Sequence, residues 1–385
     1  MSIKTLMAAT AASLLLSATA GLAADQGVTD KEILLGEVEP LTGPPALLGV
    51  AHNLGVRLAL EEANAAGGIH GRKLRLTALD DGYVSSRTIQ SLRKLISVDK
   101  VFALTSLSGS GQAVASLPII EEAGIPAIVP IGPVAPLYTP PRKNIFVVGQ
   151  SYEEGMHQLA LFLANKYPGK KWGVVTQDDD YGVALREGLK KAKDEKKFNV
   201  VFESIYKRGQ QDFSSEMLRA KDAGVEVFIA GGIISENVAM LKEMEKLGIK
   251  PATGIFWPGR VSAMLKLAGP ASDGLYAVDY VEPIASENGQ KFLELAKKYL
   301  SPEEVARINR YTMTGYAGTR VLLAAIEKCG KDLTWACTNA ELAKTKDLKT
   351  DVMAPISFAD GSRFSNQKVQ IMQADFKTLG FKPVK

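Results

Sequence analysis

Hydroxyls set among glycines are the most suggestive chemistry in this chain. Residues 106–111 read Ser-Leu-Ser-Gly-Ser-Gly, between a short apolar run and an amphipathic stretch, so they fall where a strand gives way to a helix. Hydroxyls and free backbone N–H groups at the positive end of a helix bind an anion. The same pattern also serves as an ordinary Ser N-cap with glycines for a tight turn. Residues 41–49, Leu-Thr-Gly-Pro-Pro-Ala-Leu-Leu-Gly, are a second loop after an expected strand, with apolar side chains that either line a cleft or pack as a staple. Asp178-Asp179-Asp180 is the most acidic spot. Neighbours in a strand-to-helix loop point apart and a helix opening at Tyr181 favours acids at its N-terminus, so these aspartates read as structural rather than as a metal cluster.

Several chemistries lack their motif. His52, His70 and His157 stand alone, none in HxxH or HExxH spacing and none near a cysteine, so no metal site is expected and each reads as a surface or capping residue. There is no GxSxG elbow, no GxxxxGK[ST] loop and no GxGxxG after a strand, so nothing announces a catalytic nucleophile, a nucleotide or a dinucleotide, and no cofactor is expected. A net charge of +4, from 46 basic and 42 acidic residues, comes without any cluster of basic side chains interleaved with aromatics, which argues against nucleic acid as a partner.

The elements that would position these residues alternate. A strand over 32–38 is followed by a helix over 51–66, a strand over 73–79, a helix over 86–98, a strand over 101–104, a helix over 111–123 and a strand over 125–129. A second series after Pro140-Pro141 repeats the plan from 145 to 256, with helices over 153–167, 181–193, 213–223 and 236–247. Alternation of this kind gives parallel sheets flanked by helices, whose ligands bind beyond the carboxyl ends of the strands. The last hundred residues hold long helices over 289–299 and 312–328 and complete domains already begun, so the chain must cross between them several times. At 385 residues with 46% hydrophobic and 23% charged side chains, two domains with a substantial core are expected.

Residues 1–23 carry Lys4, an uncharged apolar run from 6 to 20 and small residues Gly21 and Ala23 at the positions of a cut. That is a secretory signal peptide, its core too short to span a bilayer. Export makes the compartment oxidising, so Cys329 and Cys337, the two cysteines of the chain, are expected to pair in a disulfide.

Together, residues 41–49, 61–74 (Glu-Glu-Ala-Asn-Ala-Ala-Gly-Gly-Ile-His-Gly-Arg-Lys-Leu), Asp80-Asp81, 106–111, 121–126 (Glu-Glu-Ala-Gly-Ile-Pro), 179–182, Asp212-Phe213-Ser214 and 351–358 resemble, in order and spacing, the type I solute-binding proteins of branched-chain amino acid ABC importers. The resemblance spans nearly all of the chain after the leader. It implies an α/β fold of two lobes with a three-stranded hinge and a ligand enclosed between them, with 28–145 plus 278–353 as the first lobe and 146–277 plus 354–385 as the second. It implies a monomer in the periplasm, a small-molecule solute and an inner-membrane ABC permease as partners, and no catalysis. A soluble sensor docking to a membrane receptor, or an exported enzyme, are the alternatives.

Carried over residue by residue, the resemblance places the ligand's carboxylate on Ser108 and the amides through Gly109 and Ser110, the next loop on Gly132 and Val134, and Leu48 against the ligand's body. From the second lobe, Tyr181 falls on an aromatic that closes over the ligand. The pattern breaks at Val134, where amino-acid binders carry a hydroxyl, at Ile233, where they carry an aromatic, and at Trp257, where they carry a carboxylate for the ammonium group. Glu236, Asp279 and Glu282 are candidate substitutes, each expected to be solvent-exposed. The ligand expected is a carboxylate with an apolar or aromatic body, with a branched-chain amino acid as its competitor.

Overall fold

The computed structural model describes residues 25–384 except 44, 108, 359 and 360; the expected leader at 1–23 and Ser108 lie outside the described residues. The first half runs β1 (Glu32–Glu39), α1 (Ala46–Ala65), β2 (Lys73–Asp80), α2 (Ser85–Ser97), β3 (Ala103–Leu107), α3 (Ser110–Ala123), β4 (Ala127–Val129) and β5 (Ile145–Val147). These strands make one parallel sheet in the order β2-β1-β3-β4-β5. β3, β4 and β5 are buried along their whole lengths, the condition of a parallel sheet covered on both faces. α1 starts five residues earlier than the sequence reading placed it. Pro45, at φ −83°, is already close to a helical φ, and Ala46, Leu47 and Leu48 are good helix formers. Leu48 therefore belongs to the first turn of a helix and not to a loop.

The second series is α4 (Tyr152–Lys166), β6 (Lys171–Gln177), α5 (Asp180–Lys196), β7 (Asn199–Tyr206), α6 (Ser214–Asp222), β8 (Val227–Gly231), α7 (Ser235–Lys246), β9 (Ala252–Ile255), α8 (Ser262–Ala268) and β10 (Tyr276–Asp279). The chain then builds α9 (Glu287–Ala296), α10 (Pro302–Val305), α11 (Arg310–Lys328) and α12 (Trp335–Ala343), and ends the described part with β11 (Gln370–Asp375) and β12 (Gly380–Pro383). The second sheet has the order β12-β11-β10-β9-β8-β6-β7. It is parallel except for β11, which runs antiparallel to both β10 and β12. That hairpin and β10 were not foreseen in the sequence, and the expected lobe boundary at 277/278 falls inside β10.

α11 returns to the first sheet and lies along α1. Two glycines permit this approach: a Cβ on Gly55 would fall 1.9 Å from Thr312 O, and one on Gly315 would fall 2.4 Å from His52 O. Cys329, just past α11, is bonded to Cys337 in α12, as expected. Three segments cross side by side between the two sheets. Val147 N donates to Arg363 O (2.7 Å), Ser365 N to Val147 O (3.0 Å), Gln367 N to Gly149 O (2.9 Å) and Glu282 N to Val352 O (2.9 Å). Among the described residues no helix is long and apolar enough to cross a membrane.

Candidate ligand-binding cleft

The carboxyl ends of the two sheets face one another, and most of the residues singled out in the sequence converge there. On the first wall, α3 opens directly after β3 through Gly109, whose φ of +65° suits glycine and whose lack of a side chain leaves the first amides of the helix to an outside acceptor. Ser110 is buried. Gly132, at φ +75°, packs on it so closely that a Cβ would lie 2.8 Å from Ser110 N. Val134 follows, buried, its N–H donating to Gly132 O at 2.9 Å, and Leu48 is buried at the start of α1. Tyr83 covers Gly109: a Cβ there would meet its ring at 2.6 Å and Gln112 Oε1 at 2.7 Å. Gln112 is fully buried with neither amide atom hydrogen-bonded.

The second wall is aromatic. Tyr181, in the first turn of α5, is buried and its hydroxyl donates to Gly232 O (3.3 Å). Tyr152, first residue of α4, sits edge-on to Tyr181 (4.8 Å between centroids), stacks on Trp257 (5.0 Å) and meets Phe256 (5.4 Å). Trp257 in turn meets Tyr280 (5.1 Å). Ile233 is buried in the loop before α7. Burial raises the hydroxyls of Tyr152, Tyr181 and Tyr280 above the ordinary phenol value, so they stay protonated donors.

The front is clasped. Arg208, after β7, donates from Nη1 to Tyr83 O (3.1 Å) in the other lobe and places its guanidinium 4.3 Å from the Tyr83 ring centroid. Its Nη2 holds Asp179 Oδ2 at 2.6 Å. Asp179 also caps α5, accepting from Gly182 N at 3.1 Å, so the acidic run has the structural role expected of it.

Two corrections concern charge. Asp279 and Glu236 are buried, not exposed, and Glu282 is half-buried. Asp279 is held by Arg260 and by Arg310, whose Nε lies 2.6 Å from Oδ2 and Nη2 3.0 Å from Oδ1. Burial pushes its carboxyl up, but the two guanidiniums outweigh this and hold it below the usual range. Two guanidiniums thus surround one carboxylate next to Tyr280, which in turn meets Trp257. The third correction concerns histidine: His52 and His157 are buried, and only His70 is exposed. His157 Nε2 reaches Glu195 at 2.7 Å. Burial, aided by Arg310, holds His52 down to about 3, so it is neutral.

His52 belongs to a buried polar cluster of the first lobe. Glu39 Oε1 lies 3.4 Å from His52 Nδ1, and Glu37 accepts from the Asn53 amide. Burial pushes Glu37 up to about 7, against the lowering effects of Asn53, Arg57 and Thr105. Burial and the neighbouring Glu37 also raise Glu39 well above its ordinary value. Among the described residues no group of three or more His, Cys, Asp or Glu is placed to hold a metal ion.

The arrangement can seat an anion at the α3 N-terminus and sandwich an apolar body against aromatic rings. Sequence reasoning missed Tyr83, Gln112, Tyr152, Arg208 and Arg310. Only Tyr152 left a usable signal, an aromatic in the first turn after the Ser151 cap, as Tyr181 lies in the first turn after the Asp179 cap.

The chain matches the periplasmic binding protein family over residues 32–378. Among curated proteins, a Leu/Ile/Val-binding protein homolog 7 from Brucella abortus (strain 2308) is 28% identical over 325 residues, covering 80% of each chain. Among solved structures, a fatty acid ABC transporter substrate-binding protein from Thermomonospora curvata has a TM-score of 0.84 at 24% identity, covering 94% of this chain and 93% of that one. A solute-binding protein of an R. palustris ABC transporter, in complex with 4-hydroxybenzoate, has a TM-score of 0.79 at 18% identity, covering 92% and 96%. At these identities the structures establish a shared fold.

Proposed function

Because the chain belongs to the periplasmic binding protein family, a family of solute carriers and not of enzymes, we propose that it is the solute-binding subunit of an ABC importer. It takes up a small carboxylate with an apolar or aromatic body, closes on it and presents it unchanged to an inner-membrane permease. In this reading residues 1–23 direct export to the periplasm, where the protein works as a monomer. Residues 28–145 with 278–353 form one jaw and 146–277 with 354–385 the other. The carboxylate rests at Ser108, Gly109 and Ser110, Gly132 and Val134 flank it, and Leu48, Tyr181, Ile233 and Trp257 enclose the body.

The observation that carries this is the pairing of a helix N-terminus without a side-chain cap on one wall with a buried aromatic cluster on the other. One end of the site suits a carboxylate and the other suits a ring or alkyl chain. Closure is a population shift that the ligand drives through contacts with both lobes at once. The test is titration calorimetry of refolded, ligand-free protein with leucine, benzoate, 4-hydroxybenzoate and octanoate, with X-ray scattering of each mixture. Binding of at least one, with a smaller radius of gyration and the solute recovered intact, is expected; turnover of a solute, or binding without closure, refutes the proposal. Ser108→Ala should weaken binding by about 1–3 kcal/mol, the value of a hydrogen bond to a charged group, and an unchanged affinity removes Ser108 from the site.

A further inference from the structure

Among the described residues eight that are not glycine hold a positive φ, and of these Tyr83 alone is buried. At φ +65° it stands in a conformation that a bulky side chain rarely adopts. It follows Gly82, at φ +55°, and the two are the centre of a turn closed by Val84 N donating to Asp81 O (3.1 Å). Two left-handed residues in succession are the pattern that Asn-Gly and Gly-Gly fill, not Gly-Tyr. Within its own lobe the turn is held by the aspartates before it: Asp80 Oδ1 accepts from Gly82 N (2.9 Å) and Asp81 Oδ1 from Tyr83 N (2.8 Å).

Further contacts come from the other lobe. Arg208, fixed by Asp179, donates to Tyr83 O and lays its guanidinium against the ring. The same guanidinium reaches α3, since a Cβ on Gly111 would stand 3.5 Å from Arg208 Nη2 and 3.4 Å from Asp180 Oδ2. Clasped in this way, the ring lies over Gly109, where a Cβ would meet Tyr83 Cε2 at 2.6 Å and its hydroxyl oxygen at 3.0 Å. A left-handed aromatic costs about as much as one hydrogen bond to a charged group contributes, so it persists only where its surroundings over-determine it. Part of what fixes Tyr83 belongs to the second lobe and is lost when the lobes part.

We propose that Tyr83 is a positioning residue that couples lobe closure to the anion seat. When Arg208 engages it, Tyr83 takes its left-handed turn and caps Gly109. When the lobes separate, the turn relaxes and the ring withdraws from the first amides of α3, leaving them open to an entering solute. This rests on the proposed solute-binding function and adds to it the means by which closure seals the seat. The backbone cost of Tyr83 then falls on closure and not on folding.

Tyr83→Gly and Tyr83→Ala separate backbone from ring. Both lack the ring, and only glycine takes a positive φ freely. Each is titrated, beside wild type, with leucine, benzoate, 4-hydroxybenzoate and octanoate, and each is unfolded in urea without solute. The Ala variant should bind whichever of these solutes wild type binds about 5-fold more weakly than the Gly variant does. In urea it should be no less stable than the Gly variant, since glycine gives the unfolded chain more freedom. Tyr83→Phe keeps ring and backbone and should bind within about twofold of wild type. Equal affinities in the Gly and Ala variants, or a Gly variant more stable than the Ala one without solute, mean that Tyr83 is strained in both forms; either result overturns the inference and leaves the solute-binding function standing. So does a Phe variant as weak as the Ala one, which would make the hydroxyl the working group. In wild type, hydrogen exchange at the amides of residues 82–84 should slow when a solute binds, and exchange that does not change overturns the inference even if no variant folds. If none of the four solutes binds wild type, the proposed ligand class and the inference fall together.

Discussion

Replacing Glu37 by Gln should stabilise the protein at pH 8 and leave it unchanged at pH 4. The Glu37 side chain is fully buried, and burial pushes its carboxyl from 4.5 to about 7. The folded state thus holds a proton that the unfolded chain releases above pH 4.5. Stability attached to this group is intact below that pH and falls as pH rises towards 7, where the loss is complete. At 1.36 kcal/mol for each tenfold change, the full loss is about 3 kcal/mol. Gln removes the titration and keeps a carbonyl to accept from the Asn53 amide. Urea unfolding of both proteins at pH 4 and pH 8 measures the effect. The difference between variant and wild type isolates Glu37 from His52, whose lowered value makes stability rise with pH between about 3 and 6.5. A variant no more stable than wild type at pH 8 would show that Glu37 is ionised at no cost, and the reasoning would be wrong.

Arg208→Ala removes a charge-assisted hydrogen bond and a ring contact between the lobes. It should shift the ligand-free protein towards an open form in X-ray scattering and cost about 2 kcal/mol of ligand affinity; Arg208→Lys should recover only part, because an ammonium has no planar fork. Asp279→Asn leaves two buried guanidiniums with no counter-charge, and a loss of about 3–5 kcal/mol of folding stability is expected in denaturant unfolding. A loss below 1 kcal/mol would mean that water reaches the network.

The repeated units were legible because each strand and helix of the two series has its own periodicity and stops at a Gly or Pro. β11 and β12 were not: Gln370–Asp375 is short and half polar, and its strand character comes from pairing with β10, a hundred residues away in sequence. The first wall of the cleft was legible where backbone makes it, at Gly109, Ser110 and Gly132. Side chains that enter from distant segments left no local trace. Arg310 comes from α11, Arg208 from the loop after β7, and nothing in either neighbourhood says that they reach Asp279 and Tyr83. The burial of Glu236 and Asp279 was misread for the same reason. An acid at a helix start or a strand end reads as solvated until the other lobe is in place above it.

The hairpin of β11 and β12 is the last described part of the chain, yet it covers the edge of β10. Between them the chain has crossed over and laid α11 on the opposite sheet. During synthesis, then, β10 must wait with an unsatisfied ladder until some ninety later residues have been made, and an exposed ladder recruits other strands. Neither half can be finished without the other, so the jaws should mature together, and loss of the final strands would leave a sticky intermediate rather than one intact jaw.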